Sequence, residues 1–165
     1  MAVFHKIIPI ETTRRVSFDD ITESVQKLVK ESGIQNGMVN VFSQHTSCSV
    51  FIQEDSEDTT YWNTPLILQD MLNVFEKVIP TCQYETQYLH PGPIHMENAQ
   101  KLRDEKPEWL LNTDGHLRSV LLGRSETIPL LDGAMTLGEF GRIYFSDMDQ
   151  TRERSRIVRV QIIGE

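Results

Sequence analysis

The last third of the chain consists of short apolar runs divided by glycine and aspartate, and this pattern limits the fold more than any other feature. Asp132-Gly133 stands between two of the runs. Asp-Gly is typical of a tight hairpin turn, because both residues tolerate the positive φ angles that such turns require. Short runs joined by tight turns predict an antiparallel sheet. The runs are residues 117–122, 126–131, 134–137, 142–145 and 157–163.

The first half alternates strand-like with helix-like segments. Residues 4–16 are predicted as a strand, and a helix follows over 17–33, opened by the capping-box-like Ser17-Phe-Asp-Asp20. A second helix is predicted over 64–80, because Thr64-Pro65 is a typical helix start and Pro80 stops the apolar stripe. We therefore expect an α+β fold for residues 1–165, as a single domain with a mostly antiparallel β-sheet and two main helices.

One long strand region, residues 38–54, changes its apolar face midway. Val39 and Val41 occupy odd positions, whereas Val50 and Ile52 occupy even ones. Side chains alternate between the two faces of a strand, so a single regular strand cannot bury both pairs. The pattern predicts a kink or bulge between about residues 44 and 49, and bulges often re-aim side chains near active sites. The polar segment Gln44-His-Thr-Ser47 lies at this kink.

Composition excludes several classes of protein. The 16 basic and 24 acidic residues give a net charge of −8, which disfavours electrostatic binding to nucleic acid. No apolar run approaches the roughly 18 residues of a membrane helix, and the first residues lack the pattern of a secretory signal. Cys48 and Cys82 form no metal-binding or disulfide spacing. We expect a cytoplasmic protein with reduced thiols and with neither a nucleic-acid nor a membrane partner.

Three of the five histidines lie among polar residues in separate segments. His45 stands at the proposed kink, His90 precedes Pro91-Gly92, and His116 is predicted at the mouth of a strand. Neutral imidazole is a common metal ligand, and the three together could form an open zinc-type site. One of them could instead act as a general acid or base. None of the pairs has the short helical spacing of a zinc motif, and a single histidine is more often structural.

The densest charged segment is Asp149-Gln-Thr-Arg152-Glu-Arg154. In an extended chain Arg152 and Arg154 point to one side, and two guanidinium groups at that spacing suit phosphate oxygens. Thr46 and Ser47 could add neutral donors, and Asp149 could orient one guanidinium. The alternative is a solvated turn before the last strand.

Glu54 is a further candidate at the end of the long strand region. It is predicted on the same side as Val50 and Ile52, so its carboxylate would need a partner, an ion or a proton.

Several motifs in order resemble the YjbQ-like family, also called the secondary thiamine-phosphate synthases. Each motif is short, but together they span residues 6–164. The motifs are His45-Thr-Ser-Cys-Ser-Val-Phe-Ile-Gln-Glu54, Tyr88-Leu-His90, Asn112-Thr-Asp-Gly-His-Leu-Arg-Ser-Val-Leu-Leu-Gly123, Ile128-Pro-Leu-Leu-Asp-Gly133 with Leu137-Gly138, and Asp149-x-x-Arg152-x-Arg154.

The resemblance implies an antiparallel α+β fold, usually assembled as a homotrimer, and a cluster of histidines and carboxylates that serves as a metal or catalytic site. The matching positions are His45, Glu54, His90, His116 and Arg152. From the resemblance together with the residues, we expect His45, Glu54 and His116 to be catalytic, and His45, His90 and His116 to hold a divalent ion, zinc or magnesium. Thr46, Ser47, Arg152 and Arg154 are expected to bind phosphate.

The implied activity couples an aminopyrimidine methyl diphosphate to a thiazole phosphate, which gives thiamine phosphate and diphosphate. Two alternatives stay open: metal-dependent hydrolysis of a small phosphate ester, and non-enzymatic binding of a metal or metabolite by a trimer. All three readings have a small phosphorylated metabolite or an ion as partner. The chain departs from the family pattern at Gly141, where a glutamine is usual, and in the long polar stretch 91–111, which adds His95.

Overall fold

Two antiparallel sheets share one hydrophobic core in the computed structural model, which describes residues 1–165. The larger sheet has the strand order β1-β8-β3-β5-β6, and the smaller has the order β2-β7-β4. The strands are β1 (Ala2–Thr12), β2 (Ser17–Asp20), β3 (Gly37–Ser43), β4 (Cys48–Glu54), β5 (Ser125–Leu131), β6 (Ala134–Met135), β7 (Gly141–Asp147) and β8 (Arg154–Gly164). The helices are α1 (Thr22–Ser32), α2 (Leu66–Val78), α3 (Pro93–Arg103) and α4 (Thr113–Leu122), with a 3-10 helix at Pro107–Leu110.

The core forms where alternating side chains of both sheets point inward. Val39 and Val41 of β3 lie opposite Ile162 and Val160 of β8 in the larger sheet, and all four are fully buried. Residues of β4 and β7 pack onto them from the smaller sheet, and the apolar face of α1 closes the same cluster. The expected antiparallel α+β architecture is confirmed.

The predicted kink in residues 38–54 is a change of sheet. The chain leaves the larger sheet after Ser43 and enters the smaller one at Cys48. The apolar phase changes because β3 and β4 pair with different strands. Cys48 donates its backbone N–H to the His45 carbonyl at 3.1 Å, so residues 45–48 form a tight turn. The polar segment Gln44-His-Thr-Ser47 therefore lies between β3 and β4 and is part of neither sheet.

The start of the first helix differs from the prediction. Residues 17–20 are strand β2, paired with β7, and α1 begins only at Thr22. The carboxylate of Asp20 accepts the Thr22 N–H at 2.9 Å. The capping-box interpretation of Ser17 is wrong because the neighbouring strand already binds this backbone. The second helix, α2, lies within the predicted range, and none of the helices is both long and apolar enough to cross a membrane.

Residues 117–122, predicted as an apolar strand run, belong to helix α4. This helix buries polar side chains and exposes apolar ones: Arg118 and Ser119 are buried, while Val120 and Leu121 are exposed. A short apolar run cannot be assigned to strand or helix by periodicity alone, and here the apolar side chains do not mark the buried face. His116 therefore lies in the first turn of a helix and not at the mouth of a strand.

Candidate functional site

A cavity of about 650 Å³ opens where the two sheets and α4 meet. Its walls come from the turn after β3, the ends of β7 and β8, the first turn of α4, and the stretch that contains α3 and the 3-10 helix. Gly115 lets α4 lie directly against the backbone that follows β7, because a Cβ at this position would be only 2.9 Å from the Met148 carbonyl oxygen. The three histidines expected at the site, His45, His90 and His116, all line this cavity.

One wall of the cavity consists of two arginines, each bound to a buried aspartate. Arg154 donates from Nη2 to Asp149 Oδ2 at 2.7 Å, and Arg156 donates from Nε to Asp147 Oδ2 at 2.7 Å. The two aspartate side chains are each 1% exposed. We call these four residues the arginine wall. A guanidinium has five N–H donors, so both arginines keep donors for a ligand.

Hydrogen bonds within the protein hold the aspartates of this wall. Burial alone would raise the pKa of Asp149, but hydrogen bonds from Thr151 and Asn112 and the charge of Arg154 hold that pKa below its ordinary value. Asp147 accepts hydrogen bonds from the side chains of Thr12 and Ser47 and from the Asp149 backbone, in addition to Arg156. The wall is therefore a fixed, charge-paired structure.

Thr46 and Ser47, the expected neutral donors, both line the cavity. Ser47 is buried, and its hydroxyl donates to Asp147 at 3.4 Å and accepts from Arg156 Nη2 at 3.2 Å. Thr46 is exposed and makes no side-chain hydrogen bond within the protein, so its hydroxyl is free for a ligand. The turn after β3 thus contributes one supporting hydroxyl and one open hydroxyl.

His45 is bound to the end of strand β8. Its Nε2 accepts the backbone N–H of Ile157 at 3.2 Å. Burial lowers the pKa of His45, the charges of Arg156 and Arg154 lower it further, and Asp147 opposes them. These effects on the pKa, together with the hydrogen bond that Nε2 accepts, favour the neutral imidazole.

His90, His95 and His116 also line the cavity and belong to three different segments: the loop before α3, helix α3 and the first turn of α4. The ring centre of His90 lies 4.9 Å from that of His95 and 6.1 Å from that of His116. The Thr113 hydroxyl donates to the His90 carbonyl, so it accepts from His90 Nδ1, 3.0 Å away. Burial lowers the pKa of His90, and the charges of His95 and His116 lower it further.

These donors do not converge as the ligands of one metal ion would. Within residues 1–165, no three His, Cys, Asp or Glu side chains are close enough together to hold a metal ion. The lone pair of His45 Nε2 is already bound to a backbone N–H, whereas His90 keeps a free Nε2. The expected ligand set of His45, His90 and His116 thus does not come together as a three-ligand cluster in this arrangement, and the ring nearest to His90 besides that of His116 is that of His95.

Arg152, expected to bind phosphate, does not line the cavity. Its Nη2 donates to Glu105 Oε1 at 2.9 Å, and its guanidinium carbon lies 4.1 Å from the ring centre of Trp109. Glu105 and Trp109 belong to residues 93–110, which we call the cover, and both line the cavity. Arg152 therefore anchors the cover and lies outside the cavity, because its neighbours Glu105 and Trp109 occupy its guanidinium.

Glu54, expected to be catalytic, is exposed at the end of β4 and does not line the cavity. The face of β4 that carries this carboxylate is buried at Val50, but Ile52 is 40% exposed, so the apolar surroundings end before Glu54. Strand β4 begins at Cys48, beside the turn that lines the cavity, and Glu54 lies at its far end, as the last of its seven residues.

Sequence reasoning missed several residues of the site. Arg156 continues the two-residue spacing of Arg152 and Arg154, and this spacing could have indicated it as a further arginine of the site. Nothing in the sequence indicates Asp147 as its acidic partner. Trp109 and Glu105 lie in a stretch without regular hydrophobic spacing, so only their tertiary contacts reveal them.

The same combination of fold and sequence is found in known proteins. The model of the family described as UPF0047 protein YjbQ-like matches residues 6–165. The chain belongs to the UPF0047 (YjbQ-like) family. The predicted resemblance is confirmed over nearly the whole chain.

Relatives in this family match at full length. A UPF0047 protein from Methanothermobacter thermautotrophicus is 34% identical over 165 residues, which cover 100% of this chain and 95% of the relative. The UPF0047 protein YugU from Bacillus subtilis is 28% identical, with 94% of this chain and 97% of the relative covered.

Solved structures of this family share the fold. The crystal structure of a YjbQ/UPF0047 protein from Clostridium acetobutylicum aligns with a TM-score of 0.71 at 28% identity, over 96% of this chain and 99% of that one. A YbjQ-like protein from Sulfolobus solfataricus aligns with a TM-score of 0.74 at 21% identity, over 99% of both chains. At that lower identity the likeness concerns the fold alone.

Proposed function

We propose that this UPF0047 protein is an enzyme of the thiamine-phosphate-synthase type, which couples an aminopyrimidine methyl diphosphate to a thiazole phosphate. The observation that carries the proposal is the arginine wall, where Arg154 and Arg156 line a cavity large enough for a small metabolite. The resemblance of the motifs to the secondary thiamine-phosphate synthases supports the same reaction.

The arginine wall suits a diphosphate leaving group. In the reaction the bond between the pyrimidine methylene carbon and the diphosphate oxygen breaks, and that carbon forms a bond to the thiazole nitrogen. Negative charge grows on the departing diphosphate, so fixed donors aimed at it lower the barrier. Asp147 and Asp149 fix the guanidinium groups in advance through bonds of 2.7 Å.

The coupling needs no proton transfer at the reacting carbon. The thiazole nitrogen attacks with its lone pair and becomes a positively charged thiazolium nitrogen, while diphosphate leaves with the electrons of the broken bond. Neutral histidines suit this reaction, because an imidazolium ion beside the developing pyrimidine cation would repel it. The pKa of His45 and that of His90 are both held below the ordinary histidine value.

An assay for thiamine phosphate tests the proposal directly. Purified protein is incubated with both substrates and magnesium, and the product is measured by its fluorescence after oxidation. We expect activity in the wild type, loss in Arg154→Ala, and wild-type activity in Arg142→Ala. Arg142 is the matched control, because its guanidinium pairs with Asp55 and it does not line the cavity.

The absence of thiamine phosphate above background would overturn the proposal. Phosphate release from simple esters with bound zinc would favour the hydrolase alternative, and ligand binding without turnover would favour the non-enzymatic one.

The proposal includes assembly as a homotrimer. Two surfaces support it: the outer face of the larger sheet, with exposed Ile7 and Met38, and the exposed apolar side of α4 at Val120 and Leu121. Exposed apolar surface of this kind commonly marks an interface between proteins. Sedimentation equilibrium at micromolar concentration should give three times the chain mass. A monomer mass would contradict the assembly.

A further inference from the structure

His45 occupies the place of a missing strand residue. The pairing of β3 with β8 ends at Ser43 and Val158, and the chain then turns away from the sheet. The next N–H of β8, that of Ile157, has no partner strand on this side. The imidazole of His45 takes over the role of the absent carbonyl, with its Nε2 3.2 Å from the Ile157 nitrogen.

This bond determines where the imidazole carries its proton. A ring nitrogen that accepts a hydrogen bond must have its lone pair free, so Nε2 is unprotonated, and a neutral ring then carries its proton on Nδ1. Within the protein Nδ1 makes no hydrogen bond, and the side chain lines the cavity beside Arg154 and Arg156. The N–H of Nδ1 is therefore available to a ligand.

The same bond excludes the two other roles of a histidine. As a base or metal ligand through Nε2, the ring would have to release the Ile157 N–H, which would leave a backbone donor unpaired. As a ligand through Nδ1, the ring would need its proton on Nε2, where it would face the proton of that N–H. Transfer of the Nδ1 proton to substrate would create an imidazolate anion, which is far too basic at neutral pH.

We infer that His45 acts as a fixed neutral donor, which binds an oxygen of the diphosphate through Nδ1–H while Ile157 holds its Nε2. The inference rests on the proposed function for the identity of the ligand. It assigns His45 a binding role that complements the charged donors of the arginine wall.

Two substitutions test the roles of the two ring nitrogens separately. His45→Asn places an amide N–H near the position of Nδ1, whereas His45→Gln places an amide oxygen near the position of Nε2 and can satisfy Ile157. We expect His45→Asn to bind inorganic diphosphate within about threefold of the wild type in calorimetry. His45→Gln should bind it roughly tenfold or more weakly, because a hydrogen bond to an anion is lost. Thermal unfolding of both variants checks that each is folded.

Nitrogen NMR of the free wild-type protein, with labelled histidine, tests the protonation state that the bond to Ile157 requires, and the diphosphate affinities of the two variants test the donor role. We expect the His45 ring in the Nδ1–H form at pH 7, with the Nε2–H form absent. An Nε2–H ring, equal affinities of the two variants, or no binding of diphosphate by the wild type would each overturn the inference. If diphosphate binds as expected but no thiamine phosphate forms, the proposed function fails and the donor role of His45 stands.

Discussion

The two sides of the cavity are built in opposite ways. The arginine wall comes from strand ends, and its aspartates are each 1% exposed. The cover, residues 93–110, stands largely outside the core: Ala99 is the only buried residue of α3, and the anchors are the contacts of Arg152 with Glu105 and Trp109. A sheet holds charged groups in fixed geometry, whereas a weakly packed segment can adapt to a ligand. The comparison predicts large energetic effects at the wall and local effects at the cover.

The largest effect is expected at the base of the wall. Asp147→Ala leaves the buried guanidinium of Arg156 without its charge partner, and breaking such a pair costs about 3–5 kcal/mol of unfolding free energy. Urea denaturation measures the loss. Glu54→Ala is the control, since Glu54 is exposed and should change stability by less than about 0.5 kcal/mol. Similar values for the two variants would remove the distinction between a fixed wall and an ordinary surface.

The next effect concerns binding at the same wall. Arg154→Ala should weaken diphosphate binding by about 1.5–3 kcal/mol, because a charge-assisted hydrogen bond is lost. Arg154→Lys keeps the charge but not the planar fork, so it should recover only part of the affinity. Isothermal titration at fixed salt measures both variants. Unchanged affinity in Arg154→Ala would mean that the guanidinium serves only its bond to Asp149.

A smaller effect is expected at the cover. Arg152→Ala removes a partly exposed ion pair and a contact with an aromatic ring, so global stability should fall by about 1 kcal/mol or less. Amide hydrogen exchange within residues 93–110 should nevertheless accelerate, while that of β8 should not. Arg103→Ala is the matched control, because Arg103 also pairs with Glu105 but is more exposed. Uniform acceleration across the chain would argue against a separate cover.

The smallest effect is the pH dependence contributed by His90. Its pKa is lower in the folded state, chiefly through burial and then through His95 and His116, so the unfolded chain binds the proton more tightly. This contribution to stability is present above the ordinary histidine pKa of 6.5 and is lost as the pH falls through the folded value. Urea midpoints at about pH 7.5 and about pH 5.5 should therefore differ less in His90→Asn than in the wild type. An equal pH dependence would place the titration elsewhere.

The wall and the cover also differ in how far the sequence revealed them. Arg152 and Arg154 were assigned together because residues two apart share a face of an extended chain. The structure separates them: β8 begins at Arg154, so Arg154 and Arg156 share its inner side, whereas Arg152 lies before the strand. The interpretation of Glu54 fails because the face of β4 that is buried at Val50 is exposed from Ile52 onward. The run 117–122 predicts a strand by its apolar side chains, whereas the helix α4 that it forms exposes several of them, among them Val120 and Leu121.

The sequence by itself determined the family, the antiparallel α+β class, the position of the break near residue 45 and three of the four histidines that line the cavity. These follow from local periodicity, turn residues and short motifs, which are properties of neighbouring residues. Tertiary structure alone decided which arginine faces the cavity, that His95 joins His90, and that Ile157 fixes the proton of His45. The arginine wall and the bond of Ile157 to His45 depend on contacts between segments far apart in the chain, and the pairing of His90 with His95 depends on how helix α3 starts after Pro91-Gly92; local patterns do not encode such contacts.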